Sequence, residues 1–210
     1  MGKLFGPDSI LFAFLTKIAD LIILNVLWII GCIPIVTIGA STIALYYCAE
    51  KYRVNDALNL LRTFWNAYRS NLKQSFALMG IMLLVMGTFA ADFILLYRIK
   101  FEIPEVILGV IGVALLLSIL AMGYIFPLQA HFDNTVRKTT INAVIMSILH
   151  LPKSLLVAIL NLLPIGLLFF LTDGFLPFVI IWLFIGGSGI AYINNTILQS
   201  IFKRYYDHKE

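Results

Sequence analysis

Residues 106–130, VILGVIGVALLLSILAMGYIFPLQA, contain no Asp, Glu, Lys, Arg or His. As an α-helix this run would measure about 37 Å at 1.5 Å per residue, longer than the ~30 Å hydrocarbon core of a bilayer. Other stretches of similar character flank it, and the whole chain is 61% hydrophobic and 12% charged. Soluble domains carry about 25% charged residues. A chain of 210 residues with so few charges cannot cover a globule with polar side chains, so the sequence specifies an integral membrane protein. The net charge of +4 then reflects Lys and Arg held at the cytoplasmic membrane face and calls for no nucleic acid.

The expected fold class is an all-α membrane protein, a single integral domain over residues 1–210. Six crossings are expected near 10–33, 38–52, 74–97, 106–130, 154–171 and 178–202. Gly6-Pro7-Asp8-Ser9 reads as a helix start with Asp8 or Ser9 as N-cap. Lys17 and Asp20 are spaced to pair on the first helix. Between the first two spans, GCIPIVTIGAS (31–41) loosely resembles a lipoprotein cleavage box. Asp20 and Asn25 interrupt the preceding apolar run, however, and no small-residue cleavage site follows. The stretch reads as a turn at the outer membrane face. Pro34 stops the first helix, Gly39 supplies backbone freedom, and Thr37, Ser41 and Thr42 bond to freed backbone groups. The second helix, from Ile38 to about Tyr52, would be only ~22 Å long, so an extended PIVT segment is expected to complete the crossing.

Two segments have a different pattern. Over 53–70, Val54, Ala57, Leu58, Leu61, Phe64, Trp65 and Tyr68 recur at helical spacing, opposite Asn55, Asn59, Arg62, Asn66 and Arg69. This predicts an amphipathic helix at the interface, placed in the cytoplasm by its basic residues. A second interfacial helix is expected over 136–150, with Ile141, Val144, Ile145 and Ile148 on one side. Arg98–Glu105 and Thr172–Pro177 read as outer loops, and KRYYDHKE as a cytoplasmic tail. Both termini are then cytoplasmic. RSNLKQS and LHLPKS occupy equivalent places, where a horizontal helix breaks and a basic residue begins the next span.

No catalytic constellation is visible. His131, His150 and His208 are far apart, and no HExxH, G-x-S-x-G, phosphate loop or dinucleotide fingerprint occurs. Cys32 and Cys48, 16 residues apart, have no metal-binding spacing and would lie ~24 Å apart along a helix, beyond the ~7 Å reach of a disulfide. The chain is read as a non-enzyme without cofactor or metal. Asp20, Asn25, Asp92 and Asn161 are the intramembrane polar candidates, because such residues are expensive in lipid. Asp92 is expected to be neutralised by Arg98 or a neighbour. The bland account of Asn25, Asn161, Asn194 and Asn195 is interhelical hydrogen bonding, and that of Gly186-Gly187-Ser188-Gly189 is close helix contact.

NVLWIIGCIPIVTIGASTIALYY (25–47), FWNAYRSNLKQS (64–75) and LHLPKS (149–154) together resemble the YesL-like bacterial membrane proteins, with a likeness running over nearly the whole chain. That family has no assigned biochemical activity, so the resemblance carries over no catalytic residues. Its members tend to be encoded beside carbohydrate ABC importers and polysaccharide-degrading enzymes, which implies an accessory role in sugar uptake at the bacterial inner membrane. Residues 133–152 also carry a faint outline of the coupling loop of ABC permeases, E-A-A-x3-G-x9-I-x-L-P. Asp133 replaces the glutamate, both alanines are lost and Thr139 replaces the glycine, while Leu151-Pro152 fall at the right spacing.

The expected function is therefore a non-catalytic accessory or scaffolding subunit of a carbohydrate ABC importer. Its expected partners are the lipid bilayer and the importer's permease subunits, with a homo-oligomer as a further possibility. Candidate contact residues are Phe64, Trp65, Tyr68, Arg69, Asn71, Lys73, Gln74, Leu151 and Pro152, against a plainer role in lipid anchoring. The alternative is a stand-alone transporter or channel, which requires Asp20, Asn25, Asp92 and Asn161 to converge on one solvated cavity.

Overall fold

The computed structural model describes residues 10–54, 58–99, 104–170 and 175–206. Among these there is no strand. The elements are α1 (Ile10–Cys32), a 3-10 turn (Ile35–Thr37), α2 (Ile38–Val54), α3 (Leu60–Ile99), α4 (Glu105–His131), α5 (Val136–Leu149), α6 (Leu151–Phe170), α7 (Phe175–Ile181), a π-helical segment (Trp182–Gly186) and α8 (Gly187–Tyr206). The expected cap at Gly6–Ser9, the turn residues 171–174 and the end of the tail lie outside the described residues.

Among the described residues, five helices are long and apolar enough to cross a membrane: Leu11–Cys32, Leu60–Leu96, Glu105–His131, Leu151–Leu168 and Leu176–Lys203. The chain is thus a multi-pass helical membrane protein. The helix expected as a second crossing, α2, is not one of the five. It has 17 residues, including Lys51 and Arg53 in its last turn. Many of its other residues are small, aromatic or hydroxylated, and ten of the 17 are buried. α2 packs against α1, α3, α4 and α8, so it forms the axis of the bundle and has no need of an apolar outer surface. Its low hydropathy is a consequence of enclosure by protein.

The turn between α1 and α2 is built as expected in part. Thr37 Oγ1 donates to the carbonyls of Gly31 (2.9 Å) and Pro34 (2.7 Å), and Ser41 Oγ donates to Trp28 O at 2.8 Å. These bonds cover carbonyls that the end of α1 leaves open. Two details differ from expectation. The PIVT segment is not extended: only Pro34 is, and Ile35–Thr37 close a 3-10 turn. Gly39 is helical and serves close approach, because a Cβ there would lie 2.7 Å from Met79 Cγ and 3.2 Å from Ser75 Cβ.

The largest departure is α3. The predicted interfacial helix and third span are one unbroken helix of 40 residues, about 60 Å long and twice the ~30 Å apolar thickness of a bilayer. It begins at Leu60, not at residue 53, and its inward face is Leu60, Phe64, Ala67, Ser75 and Leu78. Leu61, on the expected apolar face, is exposed. Because Gly39 faces Ser75 and Met79, the first half of α3 runs antiparallel beside α2 and shares its layer. No proline or glycine stands in Ser70–Gln74, so the polar run there leaves the backbone hydrogen bonding of the helix unbroken.

α5 forms close to its predicted limits. The Thr135 side chain caps its first turn by accepting from Lys138 N. The buried face is Thr139, Ala143, Met146 and Ser147, whereas Ile141, Val144, Ile145 and Ile148 are exposed. α5 therefore shows its apolar side outward and packs its smaller, more polar side. The sixth predicted span is α7, the π-helical segment and α8 in succession, with Ile181 and Gly187 both in right-handed helical conformation.

Candidate functional site

The polar side chains within the bundle fall into separate groups. Asn25, fully buried, faces the π-helical segment. A π-helix shifts its hydrogen bonds by one residue and leaves backbone groups ill-served. The Asn25 amide serves them: Nδ2 donates to Leu183 O (2.7 Å) and Trp182 O (3.4 Å), and Oδ1 accepts from Ser188 N at 2.8 Å. Gly187 makes room for this contact, since a Cβ there would lie 2.8 Å from the Trp28 ring and 3.0 Å from Asn25 Oδ1.

A second group joins α2, α6 and α8. Asn194 Nδ2 donates to Tyr46 Oη (2.9 Å) and Asn161 Oδ1 (3.0 Å), and Asn195 Nδ2 donates to Tyr46 O at 2.8 Å. The Oδ1 atoms of both Asn194 and Asn195 are buried without a hydrogen-bond partner. Asp20 stands apart. Its Oδ2 accepts from the Tyr52 hydroxyl at 2.6 Å, and it makes no ion pair with Lys17. Asp92 is exposed on the apolar half of α3 and makes no ion pair with Arg98. Asp20, Asn25, Asp92 and Asn161 thus occupy four different places.

The segment of α3 beside α2 has two sides. Phe64 is fully buried and stacks with Tyr68 (ring centroids 6.3 Å apart) and edge-on with Trp65 (5.8 Å). It contributes packing and offers no surface to a partner, a correction to its expected role. Trp65, Tyr68, Asn71 and Gln74 are half-buried, and Arg69 and Lys73 are exposed. Gln74 hydrogen-bonds to Gln129 of α4, whose Oε1 accepts from Thr139 Oγ1 of α5 at 2.7 Å. A polar chain therefore links α3, α4 and α5 through side chains that are largely buried. Gln129 was not singled out in the sequence. Its signal is a lone amide at the end of the run 106–130, where the chain passes from lipid-facing to enclosed.

Beside this chain lies a polar cleft of about 440 Å³, with Tyr47 on α2, Asn66, Ser70 and Asn71 on α3, and Gln129 and Asp133 at the end of α4 among its walls. Close by, His131 Nε2 sits 2.8 Å from Glu50 Oε1 and Nδ1 is 3.1 Å from Pro127 O, with the ring packed edge-on to Phe202. This contact ties α2, α4 and α8 together. Leu151 and Pro152 are exposed at the start of α6. Cys32 and Cys48 are free thiols. Among the described residues no three His, Cys, Asp or Glu side chains gather as a metal site would need.

Comparison with known proteins agrees with this picture and adds no activity to it. Residues 21–93 match the family model described as "Protein of unknown function, DUF624", a segment that runs from within α1 through α2 and most of α3. The chain is also similar to the uncharacterized protein YteU of Bacillus subtilis (strain 168), at 24% identity over 188 residues, covering 88% of this chain and 81% of YteU. No solved structure matches. The matched segment spans the α1–α2 turn and the polar flank of α3, and both matches agree with the chain's resemblance to the YesL-like membrane proteins of unassigned activity.

Proposed function

We propose that this protein is a non-catalytic accessory or scaffolding subunit of a carbohydrate ABC importer in the bacterial cytoplasmic membrane, bound to permease subunits through the polar flank of α3. The observation that carries the reading is the position of Arg62, Asn66, Arg69, Ser70 and Lys73. All five are exposed, yet they stand on a helix half that runs beside α2, the enclosed axis of the bundle. Charged side chains facing lipid cost several kcal/mol each. A polar partner or the headgroup layer must therefore cover this flank. The genomic company implied by the YesL-like resemblance favours an importer permease as that partner.

In the topology we infer, both termini are cytoplasmic and α2 completes a sixth crossing inside the ring of α1, α3, α4 and α8. The basic residues of α5, α6 and α8 support that orientation. A cysteine at Val36, probed with a membrane-impermeant thiol reagent in a variant lacking Cys32 and Cys48, tests it. Labelling from outside supports six crossings. Labelling only from the cytoplasm reduces the count to five and moves the N-terminus outside.

The function itself is tested by gentle affinity purification of a tagged copy from its native membrane. Recovery of permeases and their ATPase at near-equal stoichiometry is the expected result. Recovery of this chain alone, under conditions where a known importer stays whole, would overturn the reading. The transporter alternative draws less support, because the polar residues it requires are dispersed and three of the four hold helices together.

A further inference from the structure

A cavity of about 390 Å³ opens between α2, α3, α4 and α6. Its walls include Met82 on α3 together with Met122 and Phe126 on α4. Met86 of α3 and Leu162 of α6 are exposed lining residues, so they mark the mouth. Both belong to helices apolar enough to face lipid, and the opening is accordingly lateral, toward acyl chains. The volume is well above the ~150 Å³ that holds benzene in an engineered apolar cavity and falls in the ~300–1,000 Å³ range of small-molecule sites. Three methionines suit an irregular occupant, since Met side chains adapt to shape.

The inner end of the cavity is polar. Tyr46 and Asn161 line it, and their hydrogen-bonding capacity is only partly used. Tyr46, 5% exposed, accepts from Asn194 through Oη, but its own hydroxyl proton has no acceptor among the described residues. Asn161 accepts from Asn194 through Oδ1, and its Nδ2 donates to no described residue. Asn161 is half-buried and Tyr46 buried, and a donor held away from water without an acceptor is costly. The wall therefore presents O–H and N–H donors to whatever fills the space. No cationic or anionic side chain lines it.

We infer that this cavity is a binding site for an uncharged amphiphile of the bilayer: an apolar body with one acceptor oxygen, such as a hydroxyl or ester carbonyl. It enters between Met86 and Leu162 and places its oxygen at Tyr46 Oη and Asn161 Nδ2. The body displaces lipid contact with methionine and phenylalanine, and the oxygen satisfies the two donor groups together.

The test uses the full chain reconstituted in phosphatidylcholine vesicles with a diazirine-bearing long-chain alcohol. The matching diazirine alkane serves as the control without an oxygen. Expected is saturable photolabelling of the peptides holding Met82–Met86 and Met122–Phe126, competed by unlabelled alcohol. Asn161→Leu weakens the alcohol about tenfold, the effect of one lost hydrogen bond, and leaves the alkane unchanged. Ala158→Phe, which fills the cavity from the α6 side, abolishes saturable labelling by both. Each variant is first shown to be monodisperse, and Ile119→Trp replaces Ala158→Phe if that protein misfolds. Labelling that rises without saturation and spreads to outward residues such as Leu83 and Leu84 would overturn the site. Equal alcohol labelling in Asn161→Leu would overturn the assigned oxygen. A water-borne short-chain alcohol that saturates the site from solution, while the vesicle-borne probe does not, would overturn the route from the bilayer.

Discussion

Asn25 of α1 accepts a hydrogen bond from the backbone N–H of Ser188 at 2.8 Å, across 163 residues of sequence, exactly where the last helix resumes α-helical geometry after its π-helical segment. The same amide donates to Leu183 O. A single side chain therefore completes the backbone bonding of another helix, and α1 and α8 hold each other in register. Replacing Asn25 with Leu removes the partner of the Ser188 N–H and of the Leu183 and Trp182 carbonyls. The expected loss is about 2–4 kcal/mol of unfolding free energy, read by denaturant titration in mixed micelles. A change below about 0.5 kcal/mol would mean that the π-helical segment closes without help.

The glycines of the same helix separate close packing from open space. Gly187→Ala forces a Cβ to within 2.8 Å of the Trp28 ring and should destabilise by about 1–3 kcal/mol through overpacking. Gly189 has no atom within 4 Å of the equivalent position, so Gly189→Ala should be neutral or stabilise by up to ~1 kcal/mol. Equal effects in the two variants, measured by the same titration, would contradict the packing described at Trp28.

The Gln74–Gln129–Thr139 chain predicts a local effect. Gln129→Leu leaves Thr139 Oγ1 and the Gln74 amide without their mutual partner, at a cost of about 1–3 kcal/mol. Because Gln129 anchors α5 to α4, the loss should appear as faster amide exchange in Val136–Leu149, with α6 and α8 little changed. Uniform acceleration over all helices would show that α5 is not a separately held element.

Charge and packing on α3 should divide cleanly. Phe64→Ala removes a fully enclosed ring and is expected to cost about 3–5 kcal/mol. Arg69→Glu and Lys73→Glu, both on exposed positions, should alter stability by no more than ~0.5 kcal/mol. If the flank binds a permease, the double charge reversal abolishes co-purification while the protein remains folded. Retention of the permease by that variant would remove the flank from the interface.

Asp92 offers a test of stand-alone transport. It is exposed among apolar residues of α3 and makes no ion pair with Arg98. Proteoliposomes containing only this chain are expected to show solute flux indistinguishable from empty vesicles, with or without Asp92→Asn. Uptake that is present and lost in Asp92→Asn would establish the alternative.

The sequence displayed its helices unequally, for physical reasons. α4 was legible because lipid selects residues directly, and its apolar run ends within a residue or two of the observed helix. α2 was legible only as a short segment, since a helix ringed by protein answers to its neighbours and not to lipid. The asparagines read as interhelical links in the sequence do link helices, but the partners of Asn25 lie in and beside a π-helical segment that no residue pattern announces. The continuity of α3 was missed because charge at Arg69 and Lys73 suggested a membrane boundary. A boundary in polarity need not be a break in backbone hydrogen bonding. The bonding of Gln129 and the methionine-lined cavity were invisible for a related reason: both arise only where several helices meet.

The unbroken course of α3 carries a mechanical implication. With no proline between Leu60 and Ile99, the helix has no built-in joint, and its tight contact at Gly39 acts as a fulcrum between a charged arm and an apolar arm. The apolar arm, 24 residues from Ser75 to Ile99 by sequence, extends about 36 Å beyond that point. A tilt of about 5° imposed on the charged arm would swing its far tip by roughly 3 Å. A load on Arg69 and Lys73 would therefore be felt along the same rigid rod that carries Met82 and Met86.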